Sequence, residues 1–151
     1  MKKKTTLFLL LSFCFLLSAN AQKWKTVRCG GEFTIGIQQD SSLWGWGMNG
    51  NGQLGFDSES MYITKAQRLS KEDNWTAIAA GGFHTLALKT DGTLWGCGLN
   101  GNGQTGIGSN GSLGYNRYEF EQVGTDSDWM FVEACYASSF AIKKDRTLWA
   151  W

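Results

Sequence analysis

The chain contains no proline, a single histidine and no C-x-x-C pair. One histidine and no thiol pair leave a zinc ion without a ligand set. Cys29, Cys97 and Cys135 are the cysteines that lie beyond the N-terminal segment. An odd number at unequal spacing is not a disulfide framework, although export would permit one bridge without saying which pair forms it. No charge of one sign dominates. Setting aside residues 1–21 removes three lysines and no acid, leaving 11 basic residues against 13 acidic ones. A mildly acidic surface with scattered lysines has no general electrostatic hold on nucleic acid or anionic lipid. The apolar stretch from Leu7 to Leu17 is too short to span a bilayer.

That stretch has a different use. Lys2, Lys3 and Lys4 precede it, and Ala19 and Ala21 flank Asn20 just after it. A basic n-region, an apolar h-region and a small-x-small site make a secretory signal peptide. Residues 1–21 are therefore expected to be cleaved, with the mature chain starting at Gln22 and destined for secretion or the cell envelope. Cys14 lacks the Leu-x-Gly that would precede a lipoprotein cysteine. The remaining residues amount to about one domain. They are rich in glycine and tryptophan, the composition of an all-β chain with many tight turns.

Three segments align without a gap: "WKTVRCGGEFTIGIQQDSSLWGW" from Trp24, "WTAIAAGGFHTLALKTDGTLWGC" from Trp75 and "WMFVEACYASSFAIKKDRTLWAW" from Trp129. The unit therefore recurs after 51 and then 54 residues, the mark of a repeat architecture. Within it, Leu86 and Leu88 alternate with Thr85 and Ala87, which is strand periodicity. Asp91-Gly92 marks a hairpin turn before the returning strand "TLWGCG". Gly36, Ala87 and Ala141 stay small where Ile37, Leu88 and Ile142 stay bulky. Such a sheet has one small and one bulky face and stacks closely between two neighbours. With "AQRLS" and "FEQVG" as fourth strands, each unit is a four-stranded antiparallel propeller blade. The expected fold is all-β, a partial ring of two full repeats and part of a third, starting near residues 24, 75 and 129 within 22–151. The chain is read as a fragment of a longer protein; if it truly ended at Trp151, it would have to self-assemble to close a ring.

The segment "GMNGNGQLG" from Gly47 fits the G-x-G-x-x-G pattern of pyrophosphate-binding loops. That pattern needs a helix behind it. Here "NGNGQLG" returns as "NGNGQTG" at Asn100, and neither copy opens an amphipathic helix. The reading is a structural turn in which Asn-Gly pairs supply positive φ angles.

The second unit, "WTAIAAGGFHTLALKTDGTLWGCGLNGNGQTG", closely resembles the repeat of the regulator of chromosome condensation family. The matching features are W-x-x-[VI]-A-x-G, then H-T-L-A-L-K-x-D-G-T-L-W, then G-x-N-x-x-G-Q-x-G. The first unit departs at Gln38, Gln39 and Ser41. The third departs more, with Cys135-Tyr136 for Gly-Gly and Arg146 in the D-G turn. The resemblance implies a β-propeller, commonly seven-bladed, and a binding scaffold rather than an enzyme. Relatives in the family include a nucleotide exchanger for a nuclear small GTPase, secreted inhibitors of β-lactamases and a plant ultraviolet-B photoreceptor. The photoreceptor's G-W-R-H-T motif falls on Gly81 to Thr85, which reads G-G-F-H-T, so light sensing is not supported.

No catalytic, cofactor or metal residues are assigned. His84 aligns with Phe33 and Ser138 and is expected to be structural, bonded to backbone. Asp40, Asp91 and Asp145 occupy the same hairpin turn in each blade and serve those turns. The repeating tryptophans are expected to pack, and the three cysteines to behave as small strand residues. Function should lie where the repeats differ, in connectors 56–74 and 107–128. There Met61, Tyr62, Tyr115, Arg117 and Tyr118 are candidate partner-binding residues, since Tyr and Arg are enriched in hot spots. The expected function is an exported, non-enzymatic scaffold that binds an unknown protein or surface glycan. It uses no cofactor, binds no nucleic acid and inserts in no membrane after signal cleavage. The alternatives are a secreted enzyme inhibitor, a guanine nucleotide exchange factor by family analogy, or a glycan-binding module.

Overall fold

The computed structural model describes residues 23–108 and 116–151. The expected signal peptide and Tyr115 lie outside the described residues. Eleven strands fall among them, and they form three antiparallel sheets. The first sheet is β1 (Trp24–Cys29), β2 (Phe33–Gln38), β3 (Leu43–Met48) and β4 (Tyr62–Arg68), paired in that order. The second repeats it with β5 (Trp75–Ala80), β6 (His84–Lys89), β7 (Leu94–Gly98) and β8 (Arg117–Gln122). The third has β9 (Trp129–Cys135), β10 (Ser138–Lys143) and β11 (Leu148–Ala150). The all-β propeller blades expected from the repeat are therefore present. The fourth strands start earlier than "AQRLS" and "FEQVG", at Tyr62 and Arg117. The register shows why: Met48 pairs with Tyr62 and Gly98 with Arg117, so each outer strand follows the full length of β3 or β7.

Strand periodicity decides how the sheets stack. In β6 every residue is buried, because both faces of the sheet are covered. Leu86 and Leu88 turn towards the third sheet and pack with Trp129, Val132 and Ala141. Ala87, one residue out of phase, joins Ile35, Ile37, Leu43 and Leu54 of the first sheet. A bulky face thus meets a small face at each junction, as the alternation of Ile37, Leu88 and Gly36, Ala87 predicts. Gly36 shows the reason on its own side. A Cβ there would lie 2.6 Å from the Trp24 ring, so only glycine lets the indole lie flat on the sheet.

The hairpin turns are built from one recurring device. Asp40 Oδ1 accepts from the Ser42 N–H (3.0 Å) and hydroxyl (2.6 Å), and Ser42 Oγ accepts from Trp44 Nε1 (2.7 Å). Asp91, Thr93 and Trp95 repeat it, and so do Asp145, Thr147 and Trp149. The hydroxyl bond, then the backbone N–H, hold each carboxyl below the usual carboxylate range. The three aspartates therefore serve turns, one per sheet, as expected.

Successive sheets are also joined by hydrogen bonds. Thr85 Oγ1 of β6 donates to the Gln53 carbonyl of the preceding unit (2.6 Å), and Ser139 Oγ of β10 donates to the Gln104 carbonyl (2.6 Å). At one end of the sheets, the Gly31 N–H donates to the Gly82 carbonyl and the Gly82 N–H to the Tyr136 carbonyl. These bonds run from turn to turn across all three sheets.

Candidate interaction surface

The Asn-Gly loop organises the end of the first sheet. Asn49 Oδ1 accepts from the Leu54 N–H (2.9 Å), and its Nδ2 donates to the Phe56 carbonyl (2.8 Å). Gln53, fully buried, accepts from the Asn51 N–H through Oε1 (2.9 Å). Gly52 and Gly55 have φ of +78° and +74°, and their N–H groups bond to the Asn49 and Gly52 carbonyls. Asn100, Gln104 and Thr105 reproduce these contacts in the second copy. The N–H groups of Asn51, Gly52, Leu54 and Gly55 are spent inside the loop, and no helix follows it among the described residues. It is a turn, as expected.

The structure brings Met61, Arg117 and Tyr118 against this loop, with Tyr62 beside Met61. Met61 Cε lies 3.2 Å from where a Gly50 Cβ would stand. A Cβ at Gly52 would touch the Arg117 carbonyl and Tyr118 Cα, both at 2.7 Å. Asn116 Nδ2 donates to Asn51 Oδ1 (3.1 Å), tying the second unit to the loop of the first. Met61 is 58% exposed, Tyr62 51% and Tyr118 42%. The Tyr62 hydroxyl donates to Glu32 Oε2 (2.7 Å), a bond that raises its pKa.

Arg117 behaves differently from its neighbours. Its side chain is largely covered, donates from Nη2 to the Gly108 carbonyl (3.0 Å) and faces Glu121 at 3.6 Å. Its geometry braces β8 against its own connector. Tyr62, Arg117 and Tyr118 all sit on outer strands rather than in free loops, and the Tyr118 ring lies partly over Gly52 and partly in solvent. Sequence reasoning missed Tyr136, 75% exposed and with φ +38°. Its carbonyl accepts from Gly82, whose own carbonyl accepts from Gly31 beside Glu32, so it belongs to the same end of the sheets as Tyr62. The signal was legible: Tyr136 stands where the other units carry Gly31 and Gly82.

The residues considered for chemistry fall elsewhere. His84 is fully buried between the second and third sheets, and Nε2 lies 2.8 Å from Ser139 Oγ. It bonds to a side chain of the next blade rather than to backbone, because Ser139 already reaches across that junction. Burial lowers its pKa to about 4. Cys97 is buried, and desolvation raises its thiol well above the ordinary value. Cys29 and Cys135 are exposed at strand ends, so only Cys97 is packed as a small strand residue; all three are free thiols.

Comparison with known proteins adds the ancestry. Residues 24–53 and 75–104 match the regulator of chromosome condensation (RCC1) repeat, and residues 40–88 match a second description of that repeat. The RCC1 domain-containing protein RUG3, mitochondrial, of Arabidopsis thaliana is 33% identical over 132 residues, 83% of this chain and 28% of that protein. The guanine nucleotide exchange factor SRM1 of Saccharomyces cerevisiae is 35% identical over 79 residues, 49% of this chain and 16% of that protein. The crystal structure of yeast RCC1 (Prp20) bound to Kap60 superposes with a TM-score of 0.74 at 26% identity, covering 85% of this chain and 32% of that one. The chain spans about a third or less of the length of each.

Proposed function

Since the chain belongs to the regulator of chromosome condensation repeat family, we propose that it is an exported, non-enzymatic propeller scaffold that binds a partner protein through the end carrying the Asn49–Gly55 loop. One observation carries this reading. Met61, Tyr62 and Tyr118 are large, exposed and grouped around a loop that is held from within by Asn49 and by the Gln53 Oε1 oxygen. Large side chains on a pre-organised platform are what a binding hot spot needs. The placement of His84 and of the three turn aspartates supports a non-enzymatic role, since each is committed to packing or to its own turn. Export rests on the N-terminal lysines, apolar run and Ala-x-Ala site. Further blades complete the ring in this reading, covering the exposed Phe131 and Leu148 of the third sheet.

The test is capture of partners from cell-envelope extract by the wild type and by a Tyr118→Ala, Met61→Ala double variant. Hot-spot truncation is expected to weaken capture at least about tenfold. Unchanged capture would remove this surface from consideration. Nucleotide release from a loaded small GTPase, measured with the same preparations, tests the exchange activity named for the SRM1 relative. The mildly acidic residues 22–151 predict none.

A further inference from the structure

A cleft of about 290 Å³ opens at the rim of the junction between the first and second sheets. Its framework comes from the repeat. The Lys89 ammonium lies 3.6 Å from the Trp95 ring centroid and 4.9 Å from that of Trp75, and Glu72 holds it at 2.5 Å. The third sheet copies this arrangement, with Lys143 between Trp129 and Trp149 and held by Asp126. Those elements join blades and need no ligand to explain them.

Four further lining residues do not recur. Phe56 and Asp57 come from the first connector, where the second carries Ile107 and Gly108. Glu119 and Phe120 come from β8, where the matching positions of β4 are Lys65 and Ala66. Three carboxylates, Asp57, Glu72 and Glu119, therefore face a single ammonium in a cleft walled by aromatic rings. One of those rings also has an unused donor. Trp75 is 1% exposed, lines the cleft, and its indole N–H has no partner. The Asp-Ser/Thr-Trp relays satisfy Trp44, Trp95 and Trp149, whereas the indole N–H of Trp75, like that of Trp129 in the third sheet, has no partner, so this unused donor belongs to the repeat.

We propose that this cleft takes a cationic side chain, an arginine presented on an extended segment of a partner protein. The chemistry follows from what the cleft holds. Aromatic faces attract a cation, and a planar guanidinium stacks on them while donating to two carboxylates. The uncompensated charge of Asp57 and Glu119 favours a cation over a neutral or anionic side chain. Lys89 shows that the same walls already accommodate an ammonium. This site is separate from the Met61–Tyr118 surface and stands whether or not that surface binds a partner.

The experiment titrates the full protein with acetyl-Gly-Arg-Gly-amide and, in parallel, with the citrulline peptide, which keeps the shape and loses the charge. Trp75 indole N–H shifts in two-dimensional NMR report occupancy. Saturable shifts with arginine, at least about fivefold weaker with citrulline, are expected. Asp57→Asn with Glu119→Gln, both exposed and remote from the blade cores, should weaken arginine binding about fivefold, while Glu133→Gln leaves it unchanged. Equal response to the two peptides, no saturation with either, or no effect of the double variant would overturn the proposal.

Discussion

His84 makes a quantitative prediction about acid. Ser139 Oγ donates its hydrogen to the Gln104 carbonyl at 2.6 Å, so at 2.8 Å from His84 it must accept from Nε2–H. The proton therefore sits on Nε2, and Nδ1 is left as a buried lone pair with no partner. Protonation at Nδ1 would place a charge in the junction with nothing to receive it. Burial lowers the pKa from 6.5 to about 4 for that reason. A histidine with a depressed folded pKa stabilises the fold fully above the unfolded value, and the contribution is lost as pH falls from about 6.5 to about 4. Those two values give a total loss of about 3 kcal/mol, of which about 2 kcal/mol appears between pH 7 and pH 5. Urea denaturation followed by tryptophan fluorescence at both pH values measures it. His84→Phe is the matched control, since Phe33 already occupies the equivalent position of the first unit. The variant should lose less than ~0.5 kcal/mol between pH 7 and 5, because the turn aspartates have pKa values lowered from 3.8 and act only in stronger acid. Equal losses in the two proteins would refute both the buried lone pair and the assignment of the proton.

Two further outcomes follow from the turns and the thiols. Ser41 and Arg146 sit at φ +65° and +71° where the second unit has Gly92 at +83°. Each side chain is held in a left-handed conformation, so Ser41→Gly and Arg146→Gly should each stabilise by about 1 kcal/mol in denaturant titration. Destabilisation by either would mean that the side chain earns its place through contacts. Iodoacetamide at neutral pH should label Cys29 and Cys135 within minutes and leave Cys97 untouched until urea unfolds the chain, read by mass spectrometry of tryptic peptides. Rapid labelling of Cys97 in the native state would mean that the second blade opens locally.

The fold was legible because two periods overlay one another. The fifty-residue repeat marks the blades, and the alternation of Leu86 and Leu88 with Ala87 marks which face meets which neighbour. Even the degenerate third unit obeys a readable rule. A Cβ at Gly30 would fall 2.0 Å from the Phe33 ring, and one at Gly81 would fall 2.1 Å from the His84 ring. Where Ser138 replaces that ring, Cys135 can replace the glycine, so the two changes compensate. The candidate surface was less legible. Composition picked out Met61, Tyr62, Arg117 and Tyr118, but could not decide which of them would pair in an outer strand, turn under its own connector or stay exposed. Those outcomes depend on contacts between connectors of different blades, which a sequence pattern within one repeat does not contain. The acidic aromatic cleft is harder still, since its lining joins residues from Asp57 to Phe120 through packing alone.

The loop that first looks like a phosphate cradle gives the proposed recognition surface its physical basis. An anion-binding loop keeps its N–H groups free and so remains dependent on its ligand for order. Here Asn49 and Gln53 consume those groups, while the Gln53 carbonyl accepts from Thr85 of the next blade. The loop is thereby fixed from inside and from its neighbour at once. Glycines at positions 50 and 52 then serve by having no side chain, since Met61 and Tyr118 lie over the bare backbone. Large side chains resting on a backbone that cannot rearrange lose little further freedom when a partner covers them. That saving in ordering entropy is the physical link between a structural turn shared by the first two units and the binding surface proposed for the first of them.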